Sequence, residues 1–149
     1  ENADLIYFSG GNPSYLYQTL KNSLVWEAAQ KAWARGAVYA GCSAGAMILG
    51  TEMPDVRAMG IRSTAAFGIL PIASLLPHFN NMPLFGKPLV ATLRRRLRDG
   101  EMMIGVDEDT AIVGRLNESW TIMGASKAHV FTTDDIKSYA AGEKFTLGK

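Results

Sequence analysis

The stretch "VYAGCSAGAMILG", residues 38–50, constrains the fold more than any other part of this 149-residue chain. The apolar run "AVYAG" (Ala37 to Gly41) reads as a strand, and "AMILG" after Gly45 reads as the continuation of a short helix. Between them "GCSAG" matches G-x-S-x-G, a strand that bends abruptly into a helix. Small residues are needed on both sides, because bulk would block the bend and any approach to the serine at its apex. Ser43 would then be held in a strained conformation with its hydroxyl exposed. Its neighbour Ala44, at the helix start, would aim a backbone N–H at the same space.

The segments around this bend repeat one pattern. "DLIYF" (Asp4 to Phe8) is a short apolar run closed by "SGGNP", a buried strand followed by a tight loop. Asn12 before Pro13 predicts a helix start, with Leu16, Leu20 and Leu24 at helical spacing. Ser23 is placed to cap a second helical stretch through Trp26, Ala29 and Trp33 to Arg35, which Gly36 ends. Strand, helix, strand is the unit of a parallel sheet covered by helices. Residues 51–63 read as irregular. "FGIL" and "SLLPH" read as short extended segments leading to His78, and Leu84 to Leu97 has helical apolar spacing. "MMIGV" is a strand; "TAIVGRL", "SWTIM" and "KAHVFT" follow as antiparallel hairpins with a turn at Asn117 and Glu118. The expected architecture is therefore one α/β domain over residues 1–149, three-layered, with a mostly parallel sheet, helices on both faces and C-terminal antiparallel hairpins.

Composition narrows the chemistry. Apolar residues at 48% and charged ones at 19% give a folded globular chain. A net charge of +1 gives no reason to expect nucleic acid or an anionic membrane surface as partner, and "RRRLR" at Arg94 to Arg98 reads as a solvated helix face. The lone Cys42 excludes an intrachain disulfide and a zinc site of several cysteines. With only His78 and His129, a histidine-built metal site is not expected, and no organic cofactor is called for. No apolar run approaches the length of a membrane span. The opening "ENADLIYF" lacks an initiator Met, a basic leader and a cleavage-like segment, and is already strand-like by Leu5. That reads as a fragment that begins in the middle of something larger.

A serine hydroxyl needs a base, and the base needs a carboxylate to hold its tautomer. His78 ends an apolar segment beside Pro77, where a strand hands over to a loop; His129 lies in an alternating run and reads as a sheet residue. "VDEDT" offers Asp107, Glu108 and Asp109 directly after a strand. Glu108 is the first choice for the acid, Asp107 the second and Glu52 the third, with Asp109 facing solvent. In "SGGN" (Ser9 to Asn12) paired glycines let backbone N–H groups approach a ligand, so Gly11 is a candidate second donor to an oxyanion. No Walker lysine or spaced G-x-G-x-x-G follows, which argues against a nucleotide site.

Taken in order, "IYFSGGN", "GCSAGA", "LLPHF" and "IGVDEDTAIV" resemble the peptidase E (aspartyl dipeptidase) and cyanophycinase family of serine peptidases, which share the fold of the class I glutamine amidotransferases. The order serine, histidine, acid differs from that of the α/β-hydrolases. The resemblance implies Ser43 as nucleophile, His78 as base and then acid, and Glu108 as its orienting carboxylate, with Glu52 a rival. It implies Gly11 and Asn12 as oxyanion donor and substrate contact. It also implies a carboxylate clamp for an aspartyl substrate at Arg94, Arg95 or Arg96, a task suited to a guanidinium fork. The implied reaction is hydrolysis of a peptide bond next to an acidic residue through an acyl-enzyme, without metal. The expected partner is a small peptide, optionally with a second copy of the chain, in the cytoplasm. The competing expectation is an inactive amidotransferase-like domain that binds a small acidic ligand or a partner protein.

Overall fold

The computed structural model describes residues 2–55, 62–82 and 86–147. Strand β1 (Leu5–Phe8) leads through Ser9–Asn12 to helix α1 (Pro13–Leu20), and helix α2 (Leu24–Ala34) returns the chain to strand β2 (Val38–Gly41). Both helix starts form as the sequence predicts. Asn12 accepts from the N–H of Tyr15 at 2.9 Å, with Pro13 in the first turn, and Ser23 accepts from the N–H of Trp26 at 3.1 Å. Such caps satisfy backbone donors that a helix end otherwise leaves orphaned. Strands β1 and β2 pair in parallel from Leu5↔Val38 to Phe8↔Gly41. Leu5, Tyr7 and Val38 are exposed on this pair, while Phe8 and Tyr39 pack inward.

The short helix α3 (Ala44–Met47) follows the bend and packs against β1, β2 and strand β5 (Ser74–Leu76). Between them, β3 (Glu52–Pro54) and β4 (Ser63–Ala65) form a small antiparallel pair. The expected irregular stretch 51–63 is thus ordered at both its ends, and its middle, 56–61, lies outside the described residues. "FGIL" forms no strand; its backbone instead bonds to Ile48, Leu49 and Gly50. After β5 comes one 3-10 turn (Phe79–Asn81), then helix α4 (Gly86–Arg94). The helix expected from Leu84 to Leu97 is observed for its middle, and its first two residues lie outside the described range.

The remaining strands are β6 (Met103–Val106), β7 (Thr110–Val113), β8 (Ser119–Gly124), β9 (Lys127–Phe131), β10 (Ile136–Ala140) and β11 (Lys144–Thr146). They form two sheets, ordered β10-β9-β6-β5 and β11-β8-β7. The hairpins expected near the C-terminus are present, and Asn117 takes the left-handed conformation at the turn before β8. The fold is mixed α/β. A mostly parallel sheet is not what the described pairings show: β1 with β2 and β5 with β6 are parallel, and every other pairing is antiparallel. Short strands joined by turns of a few residues return antiparallel to their neighbours, because a parallel return needs a crossover.

Sheet β10-β9-β6-β5 is buried on both sides at its centre, which explains the near-continuous apolar run at Met102–Ile104. Leu75, Ile104 and Val130 join Ile122 and Phe145 in one core. On the other side Leu76, Met103 and Phe131 meet Leu89 and Leu93 of α4. A third core gathers Tyr17, Leu20, Trp26, Ile48 and Met53 under α1 and α2, with Trp26 stacked on Phe67 at 3.9 Å between ring centroids. No helix among the described residues is long and apolar enough to cross a membrane.

Candidate active site

Four loops of interest each follow the carboxyl end of a strand in one of the two parallel pairs: Ser9–Asn12 after β1, Cys42–Ser43 after β2, Pro77–His78 after β5 and Asp107–Asp109 after β6. Ligands of α/β sheets bind at such ends. The bend at Ser43 has the predicted strain, with φ 52 and ψ −113 on a non-glycine residue. The two flanking glycines are steric requirements. A Cβ at Gly45 would lie 2.0 Å from the carbonyl oxygen of Phe8, and one at Gly41 would lie 2.4 Å from the carbonyl oxygen of Gly45. Backbone occupies the space, so neither side chain could be accommodated by rotation.

Two features of the bend were not read from the sequence. Tyr39 donates its O–H to the carbonyl of Gly45 at 2.6 Å, tying β2 to the first turn of α3. Burial pushes the Tyr39 hydroxyl above its ordinary range, which keeps it a donor. Gly10 packs against Ser43: a Cβ there would meet Ser43 Cβ at 3.3 Å and Oγ at 3.7 Å. The glycine loop therefore lies over the serine. Gly11 has φ 127, open to glycine and strained for other residues. Among the described residues nothing accepts the N–H of Gly11 or of Ala44. An open cleft of about 460 Å³, lined by Gly11, Asn12, Ser14, Met53, Pro54 and Asp55, adjoins this loop. The Cys42 thiol beside the bend faces Tyr7 and raises that tyrosine's pKa.

His78 takes the left-handed conformation (φ 55, ψ 38) and places Nδ1 3.1 Å from Glu108 Oε1. Its side chain is 53% exposed and that of Glu108 42%. With Nδ1–H directed at the carboxylate, Nε2 is left with a free lone pair. Two further side chains hold Glu108. Asn81 Nδ2 donates to both of its carboxylate oxygens, at 3.3 and 3.2 Å, and Asn80 Oδ1 accepts from its backbone N–H at 2.9 Å. Neither asparagine stood out in the sequence; their position within three residues of His78 was the available signal.

The other acids separate cleanly. Asp107 is buried and engaged elsewhere: its oxygens accept from His129 Nε2 at 3.2 Å, Ser126 Oγ at 2.6 Å and the Lys127 N–H at 3.2 Å. Asp109 is exposed, as expected, with φ 54. Glu52 lies in β3, and among the described residues it makes no bond to either histidine. Asn12 uses its side-chain oxygen to cap α1. Arg94 donates from Nε and Nη2 to the carbonyls of Thr132 and Thr133, at 2.8 and 3.1 Å, so two of its donors are spent within the fold. Arg95 and Arg96 are exposed. Among the described residues there is no hydrogen bond between Ser43 Oγ and His78, and no group of three or more His, Cys, Asp or Glu residues able to hold a metal.

Comparison with known proteins adds to this geometry. A crystal structure of a peptidase from an acI-B1 Actinobacterium superposes with a TM-score of 0.81 at 37% identity, covering 97% of this chain and 59% of that one. A candidate peptidase E protein from Listeria monocytogenes EGD-e shares the fold, with a TM-score of 0.56 at 22% identity over 93% of this chain and 60% of its own. The chain thus spans about three-fifths of the length of these two proteins. No curated protein matches it. The sequence profile of peptidase family S51 matches residues 1–121, a range that holds the glycine loop, the bend, His78 and Glu108. With four-fifths of its length inside that profile, the chain belongs to peptidase family S51.

Proposed function

We propose that this chain carries the reacting groups of a serine peptidase that works through an acyl-enzyme. Ser43 attacks the peptide carbonyl while His78 Nε2 takes its proton. Glu108 holds the imidazole in the required tautomer and stabilises the imidazolium that forms. The free N–H groups of Ala44 and Gly11 serve the oxyanion. His78 then returns the proton to the leaving amine, and water repeats the cycle on the ester. The observation that carries this reading is the 3.1 Å contact from His78 Nδ1 to Glu108, which leaves Nε2 as the unoccupied base.

The substrate we propose is a small peptide with an acidic residue beside the scissile bond, as in aspartyl dipeptidases or cyanophycinases. Asn12 borders the cleft beside Gly11 and retains its amide donors. A clamp on the substrate carboxylate falls to Arg95 or Arg96 together with the remaining donors of Arg94. The domain that presents these groups is proposed to be three-layered, with the parallel pairs β1–β2 and β5–β6 at its centre and helices on both faces. A second reading, an inactive domain that binds an acidic ligand, is favoured by the lack of a Ser43–His78 hydrogen bond. Fluorophosphonate labelling decides between them. Modification of Ser43 that disappears in Ser43→Ala is the expected result, and a folded protein that never labels would establish the second reading.

A further inference from the structure

We propose that His129 is a positioning residue for the His78–Glu108 couple, an inference that rests on reading those two as base and acid. Strand register places Leu76, Gly105, His129 and Ser138 in one row across β5, β6, β9 and β10. Gly105 leaves that row hollow, and the Phe79 ring fills the hollow: a Cβ at Gly105 would lie 2.5 Å from Phe79 Cδ2. The same ring packs on His129 at 4.8 Å and on Phe131 at 5.4 Å between centroids. His129 also donates from Nε2 to Asp107 Oδ1.

Phe79 directly follows His78 in the chain, and Asp107 directly precedes Glu108. Each reacting group is therefore one peptide unit from a side chain anchored on His129. The imidazole is itself fixed. With Nε2–H donating to Asp107, Nδ1 accepts from Ser138 Oγ–H at 2.8 Å, so both nitrogens are satisfied in one tautomer. Only a ring with a donor at that edge can fill both roles, packing on Phe79 and bonding Asp107. The left-handed backbone of His78 is held in place by this packing, since nothing in a loop alone favours that conformation.

Three variants separate the two links. His129→Phe keeps a ring against Phe79 and loses the bond to Asp107. His129→Gln keeps a donor and loses the ring, and His129→Ala loses both. The readouts are the imidazole nitrogen chemical shifts of His78, which report its tautomer, and the rate of Ser43 labelling by a fluorophosphonate. In the unaltered protein His78 should show one dominant tautomer, protonated at Nδ1. His129→Ala should mix the tautomers and slow labelling by about tenfold or more, with His129→Phe and His129→Gln in between. Folded His129→Ala with unaltered His78 shifts overturns the proposal. If that variant does not fold, unaltered shifts in both His129→Phe and His129→Gln overturn it equally. A purely structural residue would lower Tm and leave the shifts of the folded protein unmoved. If Ser43 never labels in the unaltered protein, the peptidase reading falls, and the nitrogen shifts still decide the role of His129.

Discussion

The molecule contains two histidine–carboxylate pairs with nearly equal contact distances, 3.1 Å for His78–Glu108 and 3.2 Å for His129–Asp107. Their surroundings differ. In the first pair the side chains are 53% and 42% exposed; in the second, 20% and 6%. His129 spends both nitrogens within the fold, whereas His78 spends one. A satisfied imidazole has nothing left to offer a substrate, and a half-satisfied one in water does. The comparison teaches that what sets His78 apart is an unused lone pair rather than the presence of a carboxylate partner. Burial follows the opposite order: the more buried pair is the one whose imidazole has both nitrogens engaged.

The sharpest break of this comparison is Glu108→Gln. An amide cannot stabilise the imidazolium and does not enforce the tautomer, so the rate of Ser43 labelling should fall about 1,000-fold or more. Because the pair is exposed, unfolding free energy should change by no more than about 1 kcal/mol. A labelling rate within threefold of the original would remove Glu108 from the proposed triad.

Asp107→Ala inverts the expectation. It leaves His129 Nε2, Ser126 Oγ and the Lys127 N–H without the acceptor that joins them, in a site that is 6% exposed at the carboxylate. Leaving these donors without their acceptor costs about 1–3 kcal/mol, to be read from the shift of a urea unfolding midpoint. Labelling should slow far less than in Glu108→Gln. A variant as stable as the parent would show that the buried pair is no stronger than the exposed one.

How much of this contrast was legible in the sequence follows from how local each feature is. The bend at Ser43 was readable because five consecutive residues define it, with Gly41 packed on the backbone of Gly45 and Gly45 on that of Phe8. The caps at Asn12 and Ser23 are equally local. Glu108 was the first choice among three adjacent acids, but the partner of Asp107 was hidden. His129 reaches Asp107 only through a strand register that joins residues 22 apart. The role of Gly105 was hidden for the same reason, since its lost side chain makes room for Phe79 from another strand's loop. Strands β3, β4, β10 and β11 escaped notice because they are short or largely exposed. "IKSYA" has no apolar alternation, and its pairing with β9 supplies the order. The parallel character read from the βαβ start holds at two separate pairs, β1–β2 and β5–β6, while the strands read as hairpins return antiparallel, as their brief connections require.

A third carboxylate extends the comparison to a more exposed pair. Glu27 in the first turn of α2 meets Lys31 Nζ at 2.6 Å, with side chains 56% and 59% exposed. The hydrogen bond from Lys31, and then its charge, hold the Glu27 carboxyl below its ordinary range. A carboxylate with a depressed folded-state pKa stabilises above its unfolded pKa, and that contribution is lost as pH falls through the folded value. Glu27→Gln should therefore lower Tm slightly at neutral pH, by the least of any change considered, and the gap to the parent should close in acid below the usual glutamate range. Salt should shrink the same gap, because two charges in water are screened. Thermal melts of both proteins at neutral and acid pH, with and without salt, provide the check. A gap that persists in acid would mean that Glu27 acts through helix packing rather than charge. The order of the three carboxylates by exposure would then cease to predict their order by electrostatic contribution.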